Sequence, residues 1–167
     1  MKKHLIKKCY IFDIDGVLLD SSHRYKLVLS KEGKARIDLD HWRANEHKTV
    51  EDKPLPLAEH YKKVLKQKNS FVIIATSRIM SAVDYQVIEQ KLGKPHALIS
   101  RLTNEQKGGD LKLNGIIRTL ADLKLTNIST FHIFEDNATY LKHIADGIKQ
   151  HYNVQPFAHY IVSNQGH

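Results

Sequence analysis

Cys9-Tyr10-Ile11-Phe12-Asp13-Ile14-Asp15-Gly16-Val17-Leu18 decides how the chain is read. A short run of β-forming residues ends in two aspartates one residue apart, followed by a glycine. Such a run reads as a buried strand. Two carboxylates at its carboxyl end repel each other and lose hydration, which is costly unless a cation sits between them or one stays protonated. Gly16 lets the backbone turn sharply and approach a bound group closely. A lone Asp-x-Asp is more often a polar turn, but three further pieces downstream favour the functional reading. Two rival motifs fail. A helix-loop-helix calcium loop would need an oxygen ligand at Val17 and a glycine at Leu18. Gly108-Gly109 makes no dinucleotide fingerprint, and no Gly-Lys-Ser or Gly-Lys-Thr phosphate loop occurs.

Outward from this stretch, the 167 residues suit one compact domain over 1–167. A hydrophobic share of 41% supports a core and argues against wholesale disorder. Cys9 is the single cysteine, so no disulfide framework is possible and a reducing compartment is expected. Inside a buried strand its thiol is packing rather than a nucleophile. The basic start from Met1 to Lys8 resembles a signal-peptide opening, but Asp13 and Asp15 interrupt the apolar run too early. No stretch reaches the length of a membrane span, and a cytoplasmic protein is expected. A net charge of +8 and a pI near 9.5 favour polyanionic partners, nucleic acid first and phosphorylated small molecules as well. A solvated basic surface would give the same number.

The segment of about 19–53 is polar and charge-mixed, and it lacks the apolar runs of a core sheet. It reads as an insertion over the strand ends, a small hairpin or helix acting as a flap or cap. Trp42 has the shape to stack on a base, although packing the insertion against the body is the commoner use of such a residue. Pro54 and Pro56 mark a helix start, and Leu57, Tyr61, Val64 and Leu65 follow at helical spacing. Phe71 to Ala75 is a second buried strand, ending in Thr76-Ser77-Arg78. Met80, Val83, Val87, Ile88 and Leu92 make an amphipathic helix closed by Gly93. Ala97 to Ile99 is a short strand, and Arg101 to Gly109 a polar loop. Asp110 is read as the N-cap of a helix carrying Leu113, Ile116, Ile117, Leu120 and Leu123. Thr130 to Phe134 is a strand ending in Glu135-Asp136-Asn137, with Asn137 capping the next helix. Phe157 to Val162 is the last strand, and the tail Ser163 to His167 is expected to fray. Strand and helix alternate, which implies α/β architecture: an open parallel sheet with helices on both faces.

In such sheets the ligand crevice lies outside the carboxyl ends of the strands. Asp13 and Asp15, Thr76 with Ser77 and Arg78, and Glu135 with Asp136 all stand at strand ends. Arg101 follows a further strand, and Lys112 in the first turn of a helix reaches the same edge. Carboxylates, a hydroxyl and a lysine converging there suit a phosphate with a hard cation. These residues resemble the haloacid dehalogenase-like (HAD) phosphatases. Asp13-Ile14-Asp15-Gly16-Val17 is similar to that superfamily's first motif, Thr76 to the second, Lys112 to the third and Glu135-Asp136 to the fourth. The resemblance covers nearly the whole chain and implies a HAD-like Rossmannoid three-layer fold. Val17 stands where that family usually has threonine.

A closer resemblance is to the phosphatase domain of polynucleotide kinase-phosphatases, which removes 3′ phosphates from nucleic-acid ends. Thr76-Ser77-Arg78 resembles its Thr/Ser-Gly-Arg, and Arg24 lies at the spacing of a second arginine. An acidic residue four positions before the family's lysine falls on Gly108 here, with Asp110 as a substitute. No kinase domain is expected, since the phosphate loop is missing.

The resemblance implies a mechanism. Asp13 attacks phosphorus, and Asp15 protonates the leaving oxygen and then activates water. Mg2+ is held by Asp13, the carbonyl of Asp15, Asp136 and Glu135. Thr76 and Lys112 stabilise the phosphoryl group, while Arg24, Ser77 and Arg78 bind substrate. The implied substrate is a nucleic-acid end or a nucleotide. Two rivals stand beside it: a phosphatase for small phosphorylated metabolites, and a catalytically silent nucleic-acid- or protein-binding module. Taken singly, Thr76 and Ser77 also read as helix caps, Lys112 as a solvated lysine, and Arg24 and Arg78 as surface charge. The eleven histidines show no metal-ligand spacing and read as surface or packing residues.

Overall fold

Strand β1 (Lys8–Phe12) lies in the middle of a five-stranded sheet. On one side it pairs with β6 (Ser70–Ala75), and β6 with β7 (Ala97–Ile99); on the other it pairs with β8 (Thr130–Glu135), and β8 with β9 (Phe157–Tyr160). Every pairing is parallel. The register sets Phe12 beside Ile74 and Phe134, so the central strands finish at one level and their following residues share one rim. This computed structural model describes residues 1–24, 26–103 and 105–163.

Because successive strand residues face opposite sides, β1 and β6 supply two cores. Cys9, Ile11, Phe71 and Ile73 pack against Ile116 and Leu120 of α4 (Gly108–Asp122) and Leu141, Ile144 and Ile148 of α5 (Ala138–Tyr152). Tyr10, Phe12, Val72 and Ile74 pack against Ala58, Tyr61 and Val64 of α2 (Leu57–Leu65) and Val87 and Ile88 of α3 (Ala82–Lys91). The sheet is therefore the middle of three layers, and each fully buried Phe or Ile contributes about 1.5–3 kcal/mol. Burial pushes the Cys9 thiol pKa up, which fits packing.

Val17, 1% exposed, joins the second core, so an apolar side chain suits that position. Gly16 has φ +76, and a Cβ there would collide with Asp136 Oδ2 and Ser163 Oγ. Gly93, at φ +99, donates its N–H to Ile88 O and ends α3.

Between β1 and α2 the chain leaves the sheet. Strands β2 (Leu19–Asp20) and β5 (Lys53–Pro54) pair antiparallel at the base of this segment. Above them lie a hairpin of β3 (Leu27–Leu29) and β4 (Ala35–Ile37), and helix α1 (Leu39–Ala44). Lys91 of α3 donates its Nζ to the carbonyls of Val50 and Asp52, which ties the end of the segment to the body.

The sequence reading needs correction at three boundaries. Helix α4 begins at Gly108, with Lys107 as N-cap, so Asp110 lies in the first turn and pairs with His143 at 2.8 Å instead of capping. Strand β9 ends at Tyr160, short of Val162. Ser163 is bonded to Asp136 rather than frayed, while 164–167 fall outside the described residues.

Candidate active site

The rim of the sheet carries a cavity of about 320 Å³. Its floor is made where β1 and β8 end: Asp13, Glu135 and Asp136, with Lys112 from the second turn of α4. Asp13 is fixed by its own N–H donating to Phe134 O at 3.0 Å and by Ile14 N–H donating to its Oδ1 at 2.8 Å. Lys112 Nζ lies 3.3 Å from Asp13 Oδ1 and donates to Glu135 Oε1 and Oε2 at 3.0 and 3.2 Å. Ser163 Oγ donates to Asp136 Oδ2 at 2.8 Å.

Three buried carboxylates face one ammonium, and their ionisation reflects it. Burial, then the charge of Asp13, raises Glu135 well above the usual carboxylate range. The same two causes push Asp136 up to about 7. Burial alone would lower Lys112; the charges of Asp13 and Glu135 outweigh it and hold the lysine protonated. Oxygen ligands from Asp13, Glu135 and Asp136 lie within 4.8 Å of one another. That all-oxygen, charge-deficient set fits a hard divalent cation, which would relieve the repulsion.

Asp15 also lines the cavity, but it bonds to a different set of groups. Arg78 Nε donates to Asp15 Oδ2 at 3.0 Å, Arg78 Nη2 to Asp15 Oδ1 at 2.6 Å, and Ser21 Oγ to Asp15 Oδ1 at 2.6 Å. Burial would raise the pKa of Asp15, but the Arg78 charge and these hydrogen bonds prevail and hold it below the ordinary range. The remaining Arg78 donors go to Asp52, Asp84 and Thr49. Arg78, expected to bind substrate, lines the cavity, and its guanidinium is bonded to protein carboxylates. Arg24, the other arginine expected to bind substrate, is likewise bonded within the protein. It is buried off the cavity wall, donating Nε and Nη2 to Asp52 at 3.1 and 2.8 Å, with its guanidinium 4.1 Å from the Trp42 ring centre.

Thr76 is buried behind the wall, and its Oγ1 accepts the Arg78 N–H at 3.0 Å, a local turn that shapes Thr76-Ser77-Arg78. Neither Thr76 nor Ser77 caps α3; Ser81 does, in a capping box with Asp84. Ser77 lines the cavity, and its Oγ is, among the described residues, the one buried side-chain polar atom without a hydrogen-bond partner. Arg101 donates Nε to Ser77 O at 2.9 Å and closes one side.

The upper wall comes from the segment after β1: Ile37, Leu39, Trp42, Arg43 and Glu46. Tyr140 of α5 completes the opposite side. A Cβ on Gly108 would collide with the Tyr140 ring, which accounts for the missing acidic residue there. Asp110 does not replace it, since it points to His143 in a neighbouring depression.

Asp52, Thr49, Asp84, Ser21 and Ser163 were not expected as site residues. Only Asp84 carried a signal, the Ser81-x-x-Asp84 pattern of a capping box before an apolar run.

The parallel sheet with its carboxylate-rich rim has the HAD fold, as its likeness to solved structures shows. The HAD domain of the effector protein Lem4 from Legionella pneumophila superposes with a TM-score of 0.58 at 9% identity, covering 95% of this chain and 88% of that one. A HAD-superfamily hydrolase of subfamily IA from Geobacter sulfurreducens gives 0.54 at 12% identity, over 90% and 88%. The chain belongs to the Bacteriophage T5 5′-deoxynucleotidase family, whose sequence model matches residues 1–119. That match takes in Asp13, Asp15, Thr76 and Lys112 and stops before Glu135. The 5′-deoxynucleotidase of Escherichia phage T5 is 30% identical over 89 residues, or 52% of this chain and 36% of the relative. The chain thus spans about a third of the length of that curated relative. Likeness to polynucleotide kinase-phosphatases rests on the sequence motifs alone. Among the described residues, no helix is long and apolar enough to cross a membrane.

Proposed function

We propose that this chain is a Mg2+-dependent phosphomonoesterase that removes the 5′ phosphate of nucleoside monophosphates through an aspartyl-phosphate on Asp13. The observation that carries the reading is the cavity floor, where Asp13 lies 3.3 Å from Lys112 Nζ beside Glu135 and Asp136. Asp13, Glu135 and Asp136 would hold the cation, with the Asp15 carbonyl as a further ligand. When bound, it supplies positive charge that lets two anions, nucleophile and phosphate, approach.

In this reading an Asp13 oxygen bonds to phosphorus as the bond to the leaving sugar oxygen breaks. Asp15 gives that oxygen a proton, then takes one from the water that hydrolyses the intermediate. Arg78 and Ser21 favour the base form of Asp15 in the free protein. Phosphate charge entering the site acts in the opposite direction and permits proton uptake. Lys112 neutralises charge on the transferring group, and the Ser77 hydroxyl, lacking a protein partner, is free to bond a phosphoryl oxygen. Thr76 keeps that turn in shape.

A cavity of about 320 Å³, at the small end of ligand sites, suits one nucleotide, with Trp42 on its wall beside the sugar and base. The segment of about 19–53 serves as the cap of a single domain. Removal of 3′ phosphates from nucleic-acid ends is the second reading, favoured by the net charge of +8 and by Arg43 and Arg101 on the wall. Phosphate release would be measured from deoxynucleoside 5′-monophosphates, a 3′-phosphorylated oligonucleotide and sugar phosphates, each with and without Mg2+. Preference for the monophosphates is expected. A preference for the oligonucleotide that fades steeply with salt selects the second reading. No Mg2+-dependent release from any substrate sinks both.

A further inference from the structure

Asp52 belongs to none of the motifs above, yet it is 0% exposed and surrounded by donors. It accepts from Arg24 Nε and Nη2, from Arg78 Nη2 at 2.8 Å and from Thr49 Oγ1 at 3.1 Å; its Oδ1 also lies 2.8 Å from His23 Nε2. Its main-chain carbonyl takes the Lys91 ammonium. Arg78, in turn, is gripped by Asp15, Asp52 and Asp84, which come from three separate parts of the chain. A planar guanidinium with each nitrogen assigned has little freedom to rotate. The angle at which it meets Asp15 is therefore set partly by Asp52. Through Arg24 the same carboxylate connects to Trp42, which stands on the cavity wall.

We propose that Asp52 is a positioning residue: by fixing Arg78 it aims the Asp15 carboxyl at the leaving oxygen, and it couples that aim to the placement of the segment after β1. The proposal rests on the phosphatase reading above. Its consequence is selective. A sugar alkoxide departs only with a proton delivered as the phosphorus–oxygen bond breaks, whereas nitrophenolate departs without one. Misaiming Asp15 harms the first substrate and spares the second; general loosening of the fold harms both.

The test compares kcat/KM, which reports the first irreversible step, for a deoxynucleoside 5′-monophosphate and for p-nitrophenyl phosphate. Wild type, Asp15→Asn, Asp52→Asn and the pair Arg24→Leu with Asp52→Leu are measured. The pair removes opposite buried charges together and so guards against misfolding of the single variant. Expected is a loss of roughly 30-fold or more on the nucleotide and under about threefold on the aryl phosphate, for both Asp52 variants, matching the bias of Asp15→Asn. Equal losses on the two substrates, or none, overturn the proposal. If Asp15→Asn itself shows no bias, the acid role of Asp15 falls, and the proposal with it. If Asp15→Asn is biased and the Asp52 variants are not, the positioning role alone is wrong.

Discussion

Two ionic clusters meet at the end of one strand, and they are built on opposite principles. Asp13 faces a group short of positive charge, in which three carboxylates share one lysine and two of them titrate well above their ordinary range. Two residues on, Asp15 faces a group in which both guanidiniums are bonded to carboxylates: Arg24 to Asp52, and Arg78 to Asp15, Asp52 and Asp84. The first arrangement crowds negative charge that a bound cation would relieve. The second already pairs its charges within the protein. Unmet electrostatic demand marks where chemistry belongs, and met demand marks what holds the chemistry in place.

Breaking the first cluster should cost activity and spare stability. Asp13→Asn is expected to lower phosphate release by at least roughly 10⁴-fold, while the melting temperature holds or rises because a repulsion is removed. Loss of fold would contradict this, as would retained turnover. Chelation of divalent ions should likewise stop turnover. Added Mg2+ should raise the melting temperature of wild type and raise that of Asp136→Asn much less.

Breaking the second cluster should cost stability as well. Arg24→Met strands part of the charge on Asp52 and is expected to reduce unfolding free energy by about 3–5 kcal/mol, read from urea titration. Lys142→Ala cuts an exposed pair with Asp146 and should cost no more than about 0.5 kcal/mol. Equally mild losses for the two variants would mean that the buried cluster does not hold the fold.

A smaller effect sharpens the comparison at Ser163. Ser163→Ala leaves Asp136 without its hydroxyl donor, so Mg2+ affinity measured by calorimetry should weaken by roughly tenfold. The smallest effect lies outside both clusters. His132 Nδ1 and His159 Nε2 approach to 3.0 Å in a stack with Tyr10, Phe134 and Phe157. Burial lowers the pKa of both, with the charge of His159 adding to the shift of His132. The unfolded chain therefore takes up protons first as pH falls through about 6.5. The pair's contribution is whole above that pH and declines below it. His159→Phe should flatten the difference in urea midpoint between pH 7.5 and 5.5.

Strands β1, β6 and β8 were readable because each is a largely buried apolar run ending in polar groups, and parallel register then forces those ends together. Asn137 and Gly93 announced their helix boundaries through chemistry that acts locally. Gly108-Gly109 gave no such signal, so the N-cap of α4 was placed three residues late, at an aspartate whose partner His143 lies on another helix. Arg24 and Arg78 were readable from sequence as substrate-site arginines, but neither their burial nor their partners were. A lone Asp52 in a polar stretch has no periodicity to betray it, and its value exists only after residues 24, 52 and 78 have met. The hairpin of β3 and β4 was anticipated only as a class, because its short strands bury little.

Tyr140 and Gly108 also constrain how this site can change. A side chain at 108 needs the ring's volume, and trimming the ring first would open a hole beside Lys112, whose ammonium lies 5.4 Å from the ring centre. Installing an acid at 108 therefore requires the partner position to shrink in the same step. Any exchange at one of the two positions is thereby tied to the other.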